Sequence, residues 1–461
     1  MYYSLKENGL SLDEILQITG GEAHNFPAKP MYIYGVCTDT RKEPKDSIFI
    51  ALRGENFDGH GFVEAAYALG AKCAVTEKEY DTDKPYIVVK NTLTAYGRIA
   101  GAYRKKFNIP AIAVTGSVGK TTTKEAICAT LGAKYKVCKT KENHNNEVGL
   151  PQTLLSIDSS HKIAVVEMGM SAMGEISALS RLTCPDISVI TNIGTSHIEF
   201  LGSRENIMKA KLEVLDGMSD DGILIINGDD DMLKNVTNTA QFCVRVGIDD
   251  KRCYFRATNI KYAENGTTFD IVCPDEAIKD LLIPSIGRHS VYAAAFAVAC
   301  GVICGLDENE IRRGLASYVP ADMRQNITRR EKYTKIEDCY NASPESMRAS
   351  IDVLKFLADK DGGRAVAVLG EMRELGAHAP ALHKSVGEYA AKNADALFLF
   401  GDNENVRALA DGYYAGGKVP IMLGDDAAAA VNTIKQNIKD GDVLLFKASR
   451  AVMLEKLSEK L

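Results

Sequence analysis

Val114-Thr-Gly-Ser-Val-Gly-Lys-Thr-Thr-Thr123 decides how this chain folds. An apolar run, Ala111-Ile-Ala-Val114, enters a glycine loop, and a helical pattern begins near Lys120. That order, strand then glycine turn then helix, makes a phosphate cradle. Gly116 and Gly119 let backbone N–H groups approach phosphate oxygens, the helix N-terminus adds partial positive charge, Lys120 neutralises the β/γ charge, and a Thr121 or Thr122 hydroxyl reaches Mg²⁺. The strict G-x-x-x-x-G-K-[ST] pattern is not met, because Val114 stands five before Gly119, so the strand and helix context carries the reading. ATP is the expected ligand.

Downstream, the strands Ala164-Val-Val166, Ile187-Ser-Val-Ile190 and Ile223-Leu-Ile-Ile226 alternate with helical segments, which predicts a mostly parallel sheet covered by helices on both faces. Upstream, Ser47-Ile-Phe-Ile-Ala51, Cys73-Ala-Val75 and Tyr86-Ile-Val-Val89 build a smaller α/β unit that ends near Phe-Asn-Ile-Pro110. After Tyr318-Val-Pro320 a third alternation starts, with strands Ala365–Leu369, Ala396–Phe400, Val419–Leu423 and Val443–Phe446. The expected architecture is therefore α/β in three domains: 1–107, a central P-loop ATP-binding domain over 108–320 with a mostly parallel sheet, and a C-terminal Rossmann-like domain over 321–461. A length of 461 residues suits that count.

Composition narrows the partners. Lys and Arg total 55 against 61 Asp and Glu, a net charge of −6 without any basic run, which argues against a nucleic-acid footprint and for small-molecule ligands. Eleven scattered cysteines without a C-x-x-C pair fit a reducing, cytoplasmic setting. Lys6, Glu7, Asp13 and Glu14 interrupt any leader-like apolar core, and Ser290–Leu306 is too short to span a bilayer, so neither secretion nor a membrane span is expected.

Within the central domain Glu167 ends a strand at the edge where such sheets bind ligands, which suits the magnesium carboxylate of a P-loop enzyme. His197 follows another strand at the same edge, where its position alone assigns no role. Lys211, among Arg204, Glu205, Lys209 and Glu213, reads as an ordinary solvated-face lysine. H-E-x-x-H, paired-His zinc spacing and G-x-S-x-G are missing from the sequence, so zinc-protease and hydrolase chemistries lose their signatures. A GTPase switch lacks its N-K-x-D, since the chain contains no Asn-Lys dipeptide.

Several segments together resemble the Mur ligases of peptidoglycan synthesis. They are Thr38-Asp-Thr-Arg41, Ala51-Leu-Arg-Gly-Glu-Asn-Phe-Asp-Gly-His60, the T-G-x-x-G-K-T-T loop, Asn143-His-Asn-Asn-Glu-Val-Gly-Leu-Pro151, Glu167-Met-Gly-Met-Ser-Ala-Met-Gly-Glu-Ile176 and Lys209-Ala-Lys-Leu-Glu213. In the last third they are Asp338-Cys-Tyr-Asn-Ala-Ser-Pro-Glu-Ser-Met347, Val368–Gly376 and Lys447-Ala-Ser-Arg450. The resemblance covers nearly the whole chain and is strongest to members that add D-alanyl-D-alanine to UDP-N-acetylmuramoyl-tripeptide. It implies an ATP- and Mg²⁺-dependent amide ligase, working through an acyl phosphate, with a monomeric chain. A sister ligase adding a single amino acid is the alternative, and D-x-Y-N-A-x-P speaks against it.

The resemblance also implies roles. Thr115, Gly116, Ser117, Val118, Gly119, Lys120, Thr121 and Thr122 would hold ATP, with Asn145 or Asn146 near the phosphates and Arg324, Asp338 and Asn341 closing the site from the third domain. Lys120, His197 and Lys211 would be catalytic. The metal would lie among Thr121, Glu167, His197 and a carbamylated Lys211, which reverses the plain reading of that lysine. Asp39, Thr40, Arg41, Arg53, Asp58, Gly59 and His60 would form the UDP pocket, and His383, Lys447 and Arg450 would face the dipeptide. One departure stands out: family members carry Asn where this chain has Ser290 and Ala293, so adenine contacts are not carried over.

Overall fold

The computed structural model describes Met1 to Leu461 apart from residues 6–8, 43, 55–56, 238 and 274–275. Lys6 and Glu7 of the charged start, and Glu55 and Asn56 of the first-domain motif, lie outside the described residues.

Three sheets follow one another along the chain. The first has six strands in the order Tyr2–Ser4, Gly35–Cys37, Ser47–Ile50, Cys73–Thr76, Tyr86–Val88 and Glu22–His24. Its four inner strands are parallel and its two edge strands antiparallel. Ser47–Ile50 and Cys73–Thr76 are buried along their whole length, the continuous apolar reading that a covered parallel sheet requires. The second sheet has nine strands, ordered Val137–Lys139, Ile163–Glu167, Ala111–Thr115, Ile187–Ile190, Ile223–Asn227, Phe242–Gly247, Phe255–Ala263, Gly266–Val272 and Ala277–Ile283. Its first seven strands are parallel and the last three form an antiparallel meander. The third sheet runs Asn326–Arg329, Tyr333–Glu337, Asp442–Lys447, Ala365–Leu369, Ala396–Phe400 and Ile421–Gly424, parallel except for its first pair. The fold is thus mixed α/β with mostly parallel sheets, and the meander is what "mostly" had to accommodate.

The phosphate loop sits on the most rigid strand available. Ala111–Thr115 is buried throughout and flanked on both sides by parallel partners. Ile112 and Val114, both fully buried, each contribute about 1.5–3 kcal/mol relative to exposure. Behind the loop, helix Lys120–Gly132 packs on helix Arg288–Ile303, whose Ala-rich stretch is buried from Ala293 to Gly301. Helix Glu308–Ala316 approaches closer still: a Cβ on Gly314 would stand 2.5 Å from the Thr130 carbonyl oxygen. Small residues are needed there by proximity. No helix among the described residues is long and apolar enough to cross a membrane. None of the eleven cysteines is fully exposed.

Candidate functional site

The P-loop is shaped from the neighbouring strand. Gly116 has φ +146°, and a Cβ there would lie 1.9 Å from Thr191 Oγ1; Gly119, at φ +80°, is the N-cap of helix Lys120–Gly132. Ser117 N–H donates to the Asn192 carbonyl and Val118 N–H to Asn192 Oδ1, both at 3.0 Å. In return Asn192 Nδ2 and Thr191 Oγ1 donate to the Val118 carbonyl at 2.9 and 2.6 Å. Thr191 and Asn192, which no local sequence pattern marks, therefore clamp the loop. Lys120 Nζ folds back onto the Gly116 and Ser117 carbonyls at 2.9 and 3.3 Å. Burial pulls its pKa below the ordinary lysine value, with Glu167 opposing that shift.

Beside the loop, Thr121 Oγ1 donates to Glu167 Oε2 at 2.8 Å and accepts from Arg324 Nη2 at 3.0 Å. Glu167, 2 % exposed, takes a second bond on Oε1 from Asn145 Nδ2 at 2.8 Å. Asn146 does something else: its Oδ1 accepts from the Val148 and Gly149 N–H groups at the start of helix Gly149–Leu155. The two asparagines thus part company, one touching the buried carboxylate and the other ordering the turn. Thr122 lines the same cleft, as do Ser117, Val118 and Gly119, while Thr115 is sealed beneath it, donating to the Met168 carbonyl. His197 caps the short helix Ile198–Leu201 in a left-handed conformation, φ +64°, with Nδ1 2.7 Å from Glu374 Oε2. Glu374 is itself at φ +64°, and the His197 contact lowers its pKa against the opposing effect of burial. Two strained residues from different sheets meet here, which is where function concentrates.

Lys211 is not on a solvated face. It is 1 % exposed on helix Arg204–Leu212, its ammonium makes no hydrogen bond or ion pair among the described residues, and burial together with Lys120 holds its pKa well below the ordinary value. The physical reason is the three- and four-residue spacing from Ile207 to Ala210 and Lys211, which turns this side of an otherwise charged helix into the protein.

From the third sheet, Arg324 stacks over Tyr340 with its guanidinium 4.3 Å from the ring centre. Asp338 Oδ2 accepts from Lys447 Nζ and from Ser350 Oγ, each at 2.6 Å. Lys447 also donates to the carbonyls of Asp338 and Asn341. Burial alone would raise the Asp338 carboxyl, but Lys447 overrides it and the pKa is lowered. Except for Lys211 and Thr115, these groups converge on one cleft of about 770 Å³ that also presents Tyr292, Ala293 and Phe296. Ser290 is fully buried and shares a 2.7 Å bond with Ser285, while Ala293 offers only a methyl to the cleft, so neither supplies an amide to a base.

On the dipeptide side, His383 and Lys447 are both engaged within the protein. His383 is 0 % exposed: Nε2 accepts from the Met372 N–H at 2.8 Å and Nδ1 donates to the Ala379 carbonyl at 2.7 Å, so the ring orders a turn and has no nitrogen left for a substrate. Lys447 does line the cleft, but its ammonium is committed to Asp338, which leaves it a brace rather than a free carboxylate partner. Arg450 is exposed and pairs with Glu455 at 2.7 Å.

The first-domain residues lie outside this cleft, at the C-terminal ends of parallel strands of their own sheet. Arg41 holds Asp39 through two bonds of 2.9 and 2.8 Å, keeping that carboxyl down at about 2, and Thr40 starts the same turn. Arg53 stands 3.6 Å from Asp58 and 3.4 Å from Glu77. His60 is buried, with Nδ1 donating to Asp58 Oδ1 at 2.6 Å and Nε2 accepting from Glu77 N–H at 2.9 Å; like His383 it shapes a turn. Gly59 is required by contact, since a Cβ would lie 2.6 Å from the Leu52 carbonyl oxygen.

A phosphate loop on a parallel sheet, a buried Thr–Glu corner beside it, and an arginine and an acid reaching in from another sheet define a nucleotide-dependent enzyme whose site closes between domains. Three family models match in register with the three sheets: "Mur ligase family, catalytic domain" over 32–114, "Mur ligase middle domain" over 114–301, and "Mur ligase, glutamate ligase domain" over 323–450. The chain belongs to the Mur ligase family. It is 36% identical to the UDP-N-acetylmuramoyl-tripeptide–D-alanyl-D-alanine ligase of Bacillus subtilis over 98% of both chains. It is 32% identical to that of Escherichia coli over 97% of both. Among solved structures it is similar to MurF from Acinetobacter baumannii (TM-score 0.88, 30% identity, 98% and 99% of the two chains covered). A MurF ligase from Thermotoga maritima in complex with ADP matches with TM-score 0.83 and 28% identity over 92% and 96%.

Proposed function

We propose that this chain joins D-alanyl-D-alanine to UDP-N-acetylmuramoyl-tripeptide at the expense of ATP, a cytoplasmic step of peptidoglycan precursor synthesis. The observation that carries the reading is the single cleft in which the P-loop, the Thr121–Glu167 corner, Arg324 and Asp338 meet. Near-full-length similarity to ligases named for this reaction supports the choice of substrates. In this reading residues 1–107 take the uridine nucleotide, 108–320 bind ATP and 321–461 close over it; one monomer carries every part.

The chemistry has two transfers. The tripeptide carboxylate oxygen attacks the γ-phosphorus and ADP leaves, because a free carboxylate is a poor electrophile. The dipeptide amine, having lost a proton, then attacks the acyl carbon and phosphate leaves. Positioning and charge do most of the work. Loop N–H groups, the helix N-terminus and Lys120 stabilise the phosphates, and Arg324 adds a cation from the third domain. Asn145 steadies Glu167, and Arg41 and Arg53 suit the pyrophosphate of the uridine nucleotide.

Among the described residues no group of three or more His, Cys, Asp or Glu is arranged to hold a metal. Mg²⁺ takes one or two carboxylates, a hydroxyl and phosphate oxygens, and the Thr121 hydroxyl beside the Glu167 carboxylate supplies two of these. Thr121 and Glu167 would hold it, with His197 and Lys211 on the side of a second ion; when bound, Mg²⁺ neutralises charge on the transferring phosphoryl group. Lys211, buried, unpaired and held below the ordinary lysine range, suits conversion to a carbamate, which turns a cation into an oxygen ligand. The test is phosphate release from ATP with UDP-N-acetylmuramoyl-tripeptide, offering D-alanyl-D-alanine or single amino acids in turn. Turnover is expected with the dipeptide; turnover with D-alanine alone would sink the reading.

A further inference from the structure

We propose that Glu345 is a positioning residue through which the third domain, on closing, sets the loop that shapes the phosphate site. The proposal rests on the ligase reading above for its activity test but not for its structural one. Glu345 lies in the first turn of helix Pro344–Asp361, where a carboxylate would ordinarily serve its own helix dipole. Instead it reaches the segment after strand Ile187–Ile190. Its Oε1 accepts from Thr195 N–H at 3.0 Å and from Thr195 Oγ1 at 3.1 Å. Gly194 makes room for it: a Cβ there would lie 2.9 Å from both the Glu345 Cδ and Oε1. Arg204, bonded twice to the Ile193 carbonyl, adds a positive charge under the same segment. Glu345 Oε2 is buried without a hydrogen-bond partner among the described residues, so Oε1 alone carries the contact.

What the contact controls follows from the residues on either side. Two positions before Gly194, Asn192 exchanges three bonds with Ser117 and Val118 of the P-loop, and Thr191 adds a fourth. Two positions after Thr195 stands His197, which faces Glu374 from the third sheet. Segment 191–197 is therefore a bar held at one end by the P-loop and at the other by the third domain. Glu345 grips its middle. Its consequence is that loop geometry suited to phosphoryl transfer is completed only when the third domain has arrived.

The test compares Glu345→Ala, Glu345→Gln, Thr195→Val and Gly194→Ala in the full chain. Losing bonds to a charged acceptor predicts a fall in kcat of roughly ten- to a hundredfold for Glu345→Ala, with KM for the UDP-linked substrate within about twofold. Gln keeps a carbonyl acceptor, so Glu345→Gln should recover part of kcat. Gly194→Ala should lower kcat in the wild-type background and add nothing to Glu345→Ala, because both break one contact. Small-angle scattering with an ATP analogue should show compaction of the wild type and less of it in Glu345→Ala, a readout independent of ligation. Wild-type kcat in Glu345→Ala, full additivity with Gly194→Ala, or unchanged compaction would each overturn the proposal. Thr195→Val tests the same contact from the other side should a Glu345 variant not fold. A wild type that compacts but does not ligate would refute the ligase reading and leave this one standing.

Discussion

Replacing Asp338 with Ala leaves the Lys447 ammonium inside the third domain without its carboxylate. Lys447 has 2% of its side chain exposed and Asp338 19%, and their 2.6 Å contact is one of three bonds by which the Lys447 ammonium joins the end of strand Asp442–Lys447 to the turn after Tyr333–Glu337. Removing one partner of a buried pair costs about 3–5 kcal/mol. Two backbone carbonyls remain on Lys447, so the lower end, about 3 kcal/mol, is expected. The assay is urea unfolding combined with amide hydrogen exchange in those two strands. Asp338→Ala combined with Lys447→Met should recover most of the loss, since an apolar side chain of similar length needs no counter-charge. The pH dependence has a definite sign. The folded carboxyl titrates below the unfolded value of about 4, so the contribution is whole above that pH and disappears as pH falls through the folded value. Wild type and variant should converge in acid and differ fully at neutrality. A loss below about 1 kcal/mol at pH 7, or no recovery in the double variant, would refute the reasoning.

Gly116→Ala drives a methyl into Thr191 and should abolish ADP binding in calorimetry; wild-type affinity would mean the loop tolerates what its geometry forbids. Lys211→Ala should abolish ligation and regain part of it with a short carboxylate such as acetate, whereas unchanged activity would remove its assigned role. His383→Ala orphans the Met372 N–H and should cost about 1–3 kcal/mol of stability while leaving KM for the dipeptide within about twofold. A tenfold rise in that KM would restore His383 to the substrate side.

The parts of this protein that were legible in its sequence are those whose chemistry is local. Gly116, Gly119 and Lys120 follow a buried strand directly, and the helix after them starts at Lys120 as the pattern requires. Glu167 was legible because strand ends point at ligands in such sheets. Thr191, Asn192, Glu345 and Glu374 were not, because each acts across a long stretch of chain on a group that carries no pattern of its own. The meander was missed although Asn265-Gly266, where the turn after strand Phe255–Ala263 enters strand Gly266–Val272, is a hairpin signal. His383 and His60 show the opposite case: a histidine in a family motif looks like a ligand group, and only the structure shows that both nitrogens of each ring are engaged within the protein. Lys211 looked solvated because its neighbours are charged, and helical periodicity had to be followed to the buried side.

The cysteines described with the fold carry a practical consequence for watching domain motion. Burial pushes Cys128, Cys253 and Cys339 up to about 12, so at neutral pH fewer than about one in ten thousand of each is a thiolate able to react. Alkylating reagents should therefore meet a nearly silent background among these thiols. A cysteine introduced on an exposed edge of the first sheet and another on the third could take fluorophores selectively once the partly exposed Cys184, Cys243, Cys273 and Cys304 are replaced. The same burial makes the native thiols reporters of a different event, since their labelling would be gated by opening of the cores that enclose them.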